Sequence, residues 1–162
     1  MELLMFRLAE LRAGAGWLGL SSLPGRNGNY QTDLAQMLAW RPQLVLSMTE
    51  MKEMELFGAK SLGSDLSKAN VEWRHLPIAD FGAPEPATAA NWPEASKKAH
   101  AILASGGRVL VHCKGGCGRS GMAVLRLLVE RGESPEEALA SLRRENPDAV
   151  ETKEQYLWAA HP

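Results

Sequence analysis

The fold of this chain is decided by the stretch Val109-Leu110-Val111-His112-Cys113-Lys114-Gly115-Gly116-Cys117-Gly118-Arg119-Ser120-Gly121. Its first three residues are apolar and mostly β-branched, which predicts a short buried strand. The glycines allow a tight turn, and the dense apolar residues beyond Arg119 predict a buried helix. Because a backbone that curls into a helix N-terminus points several N–H groups at one place, the stretch predicts an anion-binding loop between a central strand and a helix.

Two side chains at the ends of this loop predict its chemistry. Cys113 opens the loop, and its sulfur would face the loop N–H groups, which favour the nucleophilic thiolate. Arg119 closes the loop with a planar fork of donors that can hold two phosphate oxygens. A nucleophile inside a phosphate cradle predicts transfer of a phosphoryl group to sulfur. The residues predicted to bind the phosphate are Lys114, Gly115, Gly116, Cys117, Gly118 and Arg119.

The string His-Cys-x-x-Gly-x-x-Arg-Ser resembles the signature of the cysteine-dependent protein tyrosine and dual-specificity phosphatases. The wider resemblance is to the subgroup that contains the cyclin-dependent-kinase-associated phosphatase. It rests on the loop and on Leu18-Gly19-Leu20 with Leu23-Pro24-Gly25, His75-Leu76-Pro77-Ile78-Ala79-Asp80, and Thr152 to Tyr156. It implies a phosphatase that needs no cofactor and hydrolyses phosphotyrosine, and phosphoserine or phosphothreonine, of proteins through a cysteinyl-phosphate intermediate.

Such a reaction needs a general acid for the leaving oxygen, and Asp80 is the candidate. It follows a predicted strand and precedes residues 81–93, whose prolines and glycine predict a mobile loop. The resemblance implies the same role, since family members carry an aspartate on a movable loop before the signature. Here Ile78-Ala79-Asp80 departs from the Trp-Pro-Asp of the phosphotyrosine-specific members. The alternative is a solvated loop aspartate or a helix cap.

Ser120 and His112 lie next to the two reactive side chains in sequence, since His112 precedes Cys113 and Ser120 follows Arg119. The Ser120 hydroxyl can point at the sulfur, and the resemblance implies that it eases expulsion of the thiolate when the phosphocysteine is hydrolysed. The alternative is a serine of the helix N-terminus. His112 is expected to orient the loop, because a histidine at the end of a buried strand needs hydrogen bonds whatever the function.

The resemblance also implies a short motif near the C-terminus that positions the water which attacks the phosphocysteine. Related phosphatases carry Gln-Thr-x-x-Gln, whereas this chain has Glu151-Thr152-Lys153-Glu154-Gln155. Gln155 matches the second glutamine, and Glu151 replaces the first. A carboxylate near a dianionic phosphate is repelled unless it is protonated or turned away.

The loop leaves several alternatives open. Cys117 either fills space or condenses with an oxidised Cys113, if the loop geometry lets the two approach. His112 and the two cysteines crowd one loop without a Cys-x-x-Cys pair, so no metal is expected. Two rival functions are a catalytically silent phosphoprotein-binding module and a thiol-based arsenate reductase or sulfurtransferase.

Length and composition fit one domain, 1–162, with 45% hydrophobic residues. A formal net charge of −1 gives no reason to expect nucleic acid or membrane as a partner. Two cysteines make no disulfide framework, and no apolar run approaches the ~20 residues that span a bilayer, so a cytoplasmic location is expected. The expected partner is a phosphorylated protein or peptide, and no partner kinase is identified. Residues that can recruit an acidic substrate, though usually solvated, are Arg26, Lys97, Lys98, Arg143 and Arg144.

Strand and helix patterns alternate along the chain. They predict an α/β fold with a mainly parallel central sheet, helices on both faces, and a ligand beyond the carboxyl ends of the strands. The predicted strands are 5–11, 16–21, 44–47, 71–78 and 109–111. The predicted helices run from Thr32 or Asp33 to Trp40, over a short segment capped by Thr49, over 65–69 and 95–105, from Arg119, from Ser134, and from Thr152 to Trp158.

Overall fold

The computed structural model describes residues 5–162, so the first four residues of the predicted domain lie outside the described part. The strands are β1 (Leu8–Ala13), β2 (Gly16–Ser21), β3 (Leu44–Ser47), β4 (Glu72–His75) and β5 (Arg108–His112). They form one sheet in the order β1-β2-β5-β3-β4. β1 and β2 are antiparallel, and the other neighbours are parallel. This confirms the predicted mainly parallel sheet.

Helices cover both faces of the sheet. They are α1 (Tyr30–Ala39), α2 (Met51–Leu56), α3 (Leu62–Lys68), α4 (Pro86–Ala104), α5 (Gly118–Glu130), α6 (Pro135–Glu145) and α7 (Lys153–Ala160). Val109 and Val111 point into a core shared with α4 to α7, and Leu110 points into a second core shared with α1 to α3. The α/β fold with helices on both faces is therefore confirmed. Within residues 5–162, no helix combines the length and apolarity needed to cross a membrane.

The central strand β5 positions the functional loop. His112, its last residue, pairs with Ser21 of β2 on one side and Ser47 of β3 on the other. The carboxyl ends of these parallel strands therefore meet at one edge of the sheet, where ligands bind in such folds. The chain leaves this edge through the glycine-rich loop and enters α5.

Residues 86–93 are helical, although the sequence predicts a loop over 81–93. Pro86 lies in the first turn of α4, where the missing N–H of proline costs no hydrogen bond. Trp92 is buried in the core beyond it, which stabilises the helix across Pro93. The loop prediction over this segment is therefore wrong.

Two helix starts also differ from the predictions. α1 begins at Tyr30 because Asp33, proposed as a cap, instead accepts a hydrogen bond from the Gly25 N–H at 2.9 Å. α2 follows Glu50, not Thr49, because the Glu50 and Glu53 side chains form a reciprocal capping box.

Strand and helix bounds elsewhere differ less. β4 ends at His75 instead of residue 78, because Pro77 has no N–H to continue the ladder. β1 begins at Leu8, and α3 begins at Leu62, before the predicted 65–69. The predicted caps of the last two helices, Ser134 and Thr152, are confirmed by hydrogen bonds to backbone N–H groups three residues on.

Candidate active site

The loop after β5 turns its carbonyl groups outward and leaves its N–H groups free. The outward carbonyls accept hydrogen bonds from the Leu23 N–H to Lys114 (3.0 Å), from the Asn146 side chain to Gly116 (2.7 Å), and from the Val150 N–H to Cys117 (3.2 Å). Among the described residues, no acceptor is found for the N–H groups of residues 114–117. Converging free N–H groups at a helix start make an anion-binding concavity.

Glycine is required at position 116 of this loop. Gly116 has a φ of +81°, and a Cβ there would lie 2.9 Å from the backbone of Ser21 and Ser22, so the curled backbone depends on this glycine. A Cβ on Gly118 would lie only 2.0 Å from Oε1 of Glu151, which is the end of a flexible side chain. Gly118 therefore leaves space for the Glu151 carboxylate.

The sulfur of Cys113 lies at the base of this loop. The residue is buried, and its Sγ is 3.2 Å from the Ser120 hydroxyl oxygen. Ser120 is fully buried in the first turn of α5. The hydroxyl can therefore donate to a thiolate, as the sequence predicts.

A chain of hydrogen bonds fixes His112 behind the sulfur. The Trp73 indole N–H donates to the Ser47 hydroxyl at 2.7 Å, and that hydroxyl bonds Nε2 of His112. Nδ1 of His112 bonds the Cys113 carbonyl at 3.1 Å, and a carbonyl can only accept. Nδ1 therefore carries the proton. Burial lowers the pKa of His112 to about 4, so the ring is neutral and orients the backbone of Cys113.

Arg119 is almost completely buried, with 1% of its side chain exposed. Its two terminal nitrogens bond both oxygens of Glu53, at 2.7 and 2.9 Å, and Nη1 also donates to the Ile78 carbonyl at 2.8 Å. Its Nε–H has no partner among the described residues. The guanidinium is thus held rigidly with one donor left available.

Glu53 is the functional residue that the sequence analysis missed. It occupies the third position of α2, where it accepts a hydrogen bond from the Glu50 N–H at 2.9 Å. Burial acts to raise the pKa of Glu53, but the hydrogen bonds from Arg119 and from Glu50 hold it below its usual range. The sequence around Glu53 fits a capping box at the start of a helix, and that motif does not indicate a contact with an arginine 66 residues away.

Asp80 reaches the loop from the segment that follows β4, a strand separated from β5 by β3. Its carboxylate lies 3.2 Å from Lys114 Nζ and 3.2 Å from Arg119 Nη2. The following turn is tied to α7, since Gln155 donates to the Gly82 carbonyl at 3.1 Å. Phe81, between them, has a φ of +67°, a conformation that few side chains adopt. Asp80 is therefore held at the mouth of the loop by a constrained turn.

The C-terminal pattern has a different geometry from the one the sequence suggests. Gln155 is fully buried, and its Oε1 accepts hydrogen bonds from the N–H groups of Glu151 (2.9 Å) and Thr152 (3.3 Å). Both ends of its amide are engaged in holding backbone, so it offers no free group for water here. Glu151 lies over Gly118, and burial together with the Asp80 charge raises its pKa.

Cys117 lies at the start of α5 with its thiol directed at backbone. Burial raises the pKa of Cys117, and its Sγ donates to the Gly115 carbonyl at 3.6 Å. Cys113 and Cys117 are both free cysteines. Among the described residues, no group of three His, Cys, Asp or Glu side chains is arranged to hold a metal ion.

The loop opens into a cavity of about 320 Å³. Its lining brings together Asp80, Cys113, Lys114, Gly115, Cys117, Gly118 and Glu151, all of which the sequence indicates as site residues. Two arginines, Arg7 and Arg26, also line the cavity. The sequence indicates Arg26 only as a general candidate for substrate recruitment and gives no sign of Arg7, whose position depends on the packing of the N-terminal segment.

The sequence of this chain is similar to a family model and to proteins of known name. A family model described as "Polymorphic toxin system, DSP-PTPase phosphatase" matches residues 22–133. The chain is 29% identical over 148 residues to human cyclin-dependent kinase inhibitor 3, covering 86% of this chain and 68% of that protein. The mouse protein of the same name is 29% identical over 147 residues, with the same coverage.

Solved structures resemble the whole chain. A crystal structure of kinase associated phosphatase, with serine in place of its catalytic-site cysteine, matches with a TM-score of 0.82 and 26% identity, over 98% of this chain and 94% of that chain. Tk-PTP in its active form matches with a TM-score of 0.70 and 33% identity, over 88% of this chain and 87% of that chain. The likeness therefore extends well beyond the loop.

Proposed function

The chain belongs to the DSP-PTPase phosphatase family, and we propose that Cys113, Arg119 and Asp80 are the residues with which it hydrolyses phosphomonoesters. As a member, the protein is a cysteine-based protein phosphatase of the dual-specificity group. The assignment rests on the buried Arg119, whose Nε–H has no partner among the described residues. An orphaned buried donor costs about 1–3 kcal/mol, and a bound phosphate oxygen supplies the acceptor it lacks.

In the first step, the Cys113 thiolate attacks phosphorus, and the bond from phosphorus to the leaving oxygen breaks as the S–P bond forms. The loop N–H groups and Arg119 hold the equatorial oxygens and stabilise the charge of the transition state. Protonated Asp80 donates its proton to the leaving oxygen. The dianionic phosphate competes with Asp80 for Lys114 and Arg119, which frees the Asp80 side chain to face the leaving oxygen.

In the second step, water attacks the phosphocysteine, and the S–P bond breaks to release inorganic phosphate. Asp80, now a carboxylate, takes the proton of the attacking water. The Ser120 hydroxyl, 3.2 Å from Sγ, stabilises the departing thiolate. Neutral His112 holds the Cys113 backbone throughout, so the sulfur returns to its starting position.

The substrate of this chain is proposed to be a phosphorylated protein, bearing phosphotyrosine and phosphoserine or phosphothreonine. A relative of the chain is named cyclin-dependent kinase inhibitor 3, and a solved neighbour is named kinase associated phosphatase. A phosphorylated kinase is accordingly one substrate to test. The two free cysteines favour a reducing compartment such as the cytoplasm.

Hydrolysis of p-nitrophenyl phosphate with EDTA present tests the role assignments. Wild type should turn over without metal, and Cys113→Ser should have no measurable activity, because serine is far less ionised than cysteine. Asp80→Asn should lower kcat by about 10²–10⁴-fold, since it keeps the shape of the side chain but removes the proton. Lys97→Ala, on the exposed face of α4, is the matched control and should behave as wild type.

Two other results would support the rival functions. If wild type is inactive yet binds vanadate, the loop is a binding site and the catalytic roles proposed here are wrong. If wild type fails to hydrolyse the ester but converts arsenate to arsenite with consumption of two thiols per arsenate, the chemistry is reduction, with Cys117 as the resolving cysteine.

A further inference from the structure

We propose that Arg7 and Arg26 form a second anion site beside the phosphate loop, which selects phosphopeptides carrying a second anionic group next to the scissile phosphate. The proposal rests on the phosphatase function above and deepens it. Both arginines line the cavity that contains Cys113. No catalytic step assigned above uses either of them.

Arg26 is positioned over the loop by a turn that is itself bonded to the loop. The Leu23 N–H donates to the Lys114 carbonyl, and the Arg26 N–H closes the turn by donating to the Leu23 carbonyl, each at 3.0 Å. A Cβ built on Gly115 would lie 3.2 Å from Nη1 of Arg26. The guanidinium therefore packs directly on the backbone of the phosphate loop.

Arg7 reaches the same side of the loop from the N-terminal segment. Its backbone is fixed by two hydrogen bonds to Ser22, each of 3.1 Å. Ser22 in turn contacts the loop at Gly116. Arg7 and Cys117 line the same cavity, and the positive charge of Arg7 acts against the burial that raises the pKa of the Cys117 thiol.

The cavity lining carries charges of both signs. Lys114 is neutralised by Asp80, and Arg119 is neutralised by Glu53 and Asp80. Among residues 5–162, neither Arg7 nor Arg26 forms an ion pair. Two available guanidinium groups in one cavity can hold an anion by paired hydrogen bonds.

The cavity has room for such a ligand. Its volume of about 320 Å³ falls in the range of sites for whole small molecules, not single phosphate ions. Assignment of the chain to the protein phosphatases favours a peptide over a lipid headgroup. The second anion is therefore a phosphate or carboxylate on a residue adjacent to the phosphorylated one.

Calorimetric titration of Cys113→Ser tests this without depending on turnover. The probes are a peptide with one phosphotyrosine and two peptides with an added phosphothreonine, either before or after it. We expect at least one doubly phosphorylated peptide to bind about tenfold more tightly than the single one at low ionic strength. Adding Arg7→Ala and Arg26→Ala should reduce that ratio to less than about twofold, and 0.5 M salt should weaken it, because exposed charges are screened.

Three controls keep the result interpretable. Lys60→Ala with Lys68→Ala removes two exposed positive charges outside the cavity and should leave the ratio intact. Arg26→Lys keeps the charge but loses the fork, so it should retain part of the ratio. Thermal unfolding of each variant shows whether it is folded.

The proposal is overturned if neither doubly phosphorylated peptide binds more tightly, or if the preference survives loss of both arginines. It is also overturned if inositol 1,4-bisphosphate shows an arginine-dependent gain over inositol 1-phosphate while the peptides show none, since the ligand is then a headgroup. Failure of the phosphatase function would appear separately, as wild type that does not hydrolyse p-nitrophenyl phosphate.

Discussion

Arg119 and Glu130 are the central members of two buried ion clusters at opposite ends of α5. Each has the sign that the helix dipole disfavours, a cation at the N-terminus and an anion at the C-terminus. Oppositely charged and hydrogen-bonding side chains around each residue compensate this unfavourable interaction with the dipole. Glu53 and Asp80 surround Arg119, and Glu130 accepts hydrogen bonds from Trp92, Ser96, His100 and Arg126.

The two clusters differ in what they leave unpaired. Both oxygens of Glu130 are engaged, so the hydrogen bonds lower its pKa to about 2 although burial alone would raise it. Arg119 keeps a buried Nε–H without a partner among the described residues, beside a loop of free N–H groups. We call the Glu130 cluster closed, because both carboxylate oxygens are hydrogen-bonded, and the Arg119 cluster open, because it keeps a free donor. A closed cluster stabilises the fold, whereas an open cluster can also bind a ligand. This is the distinction that mutations can test.

The largest effect is expected from Arg119→Lys. Lysine keeps the positive charge but has no fork and no Nε–H to reach a second phosphate oxygen. We expect kcat/KM for p-nitrophenyl phosphate to fall by about 10³-fold, within the range seen when transition-state arginines are removed. A loss of less than tenfold would mean that the open donor does not hold phosphate.

Glu130→Gln should do the reverse, lowering stability while sparing activity. Removing one partner of a fully buried ion pair costs about 3–5 kcal/mol, and the Glu130 cluster should cost less because 17% of the Glu130 side chain is exposed. We expect urea denaturation to show a loss of about 1–2 kcal/mol, and kcat/KM of the folded enzyme to stay within about twofold of wild type. A drop in kcat/KM comparable with that of Arg119→Lys would erase the distinction between the clusters.

The stability difference between wild type and Glu130→Gln should depend on pH. Because the folded-state pKa of Glu130 is lowered from 4.5 to about 2, its contribution is full above pH 4.5 and is lost as the pH falls through 2. The unfolding free energies of the two proteins should therefore approach each other steadily as the pH falls from 5 to 2. Parallel curves over that range would show that the carboxylate charge is not what stabilises the cluster.

The smallest effect is expected from Glu151→Gln, which restores the family glutamine in the open cluster. The ionised carboxylate repels phosphate, and its raised pKa means that it becomes neutral at a higher pH than an ordinary glutamate. We expect the variant to bind inorganic phosphate about threefold more tightly than wild type at pH 7.5, a gap of the size that screened charges produce. The gap should narrow as the pH falls toward 5, and a gap that is equal at both values would contradict the charge argument.

Much of this site is predictable from sequence because it is contiguous. Residues 112–120 supply the sulfur, the amides, the guanidinium and the hydroxyl in one local segment, and the geometry of a strand-loop-helix turn brings them together. Asp80 is also predictable, because the carboxyl ends of parallel strands meet at one edge.

The rest depends on packing between distant segments. Glu53 meets Arg119 only because α2 folds against the sheet edge, and Arg7 enters the cavity only because it pairs with Ser22. Gln155 matches a motif by sequence, yet its amide is used to cap α7 and hold the Gly82 carbonyl. The prolines of residues 81–93 predict a loop, because proline content is read from the local sequence. The helix over residues 86–93 depends instead on burial of Trp92 in the core, which the local sequence does not indicate.

The central claim is that phosphate passes through the sulfur of Cys113 in a cradle completed by Arg119. Rapid acid quenching of wild type with p-nitrophenyl phosphate, followed by digestion and mass spectrometry, tests it most directly. The account predicts one added phosphoryl group on the peptide containing Cys113 during turnover, and none in Cys113→Ser. Steady turnover without a phosphorylated cysteine, or a phosphoryl group on another residue, would contradict it.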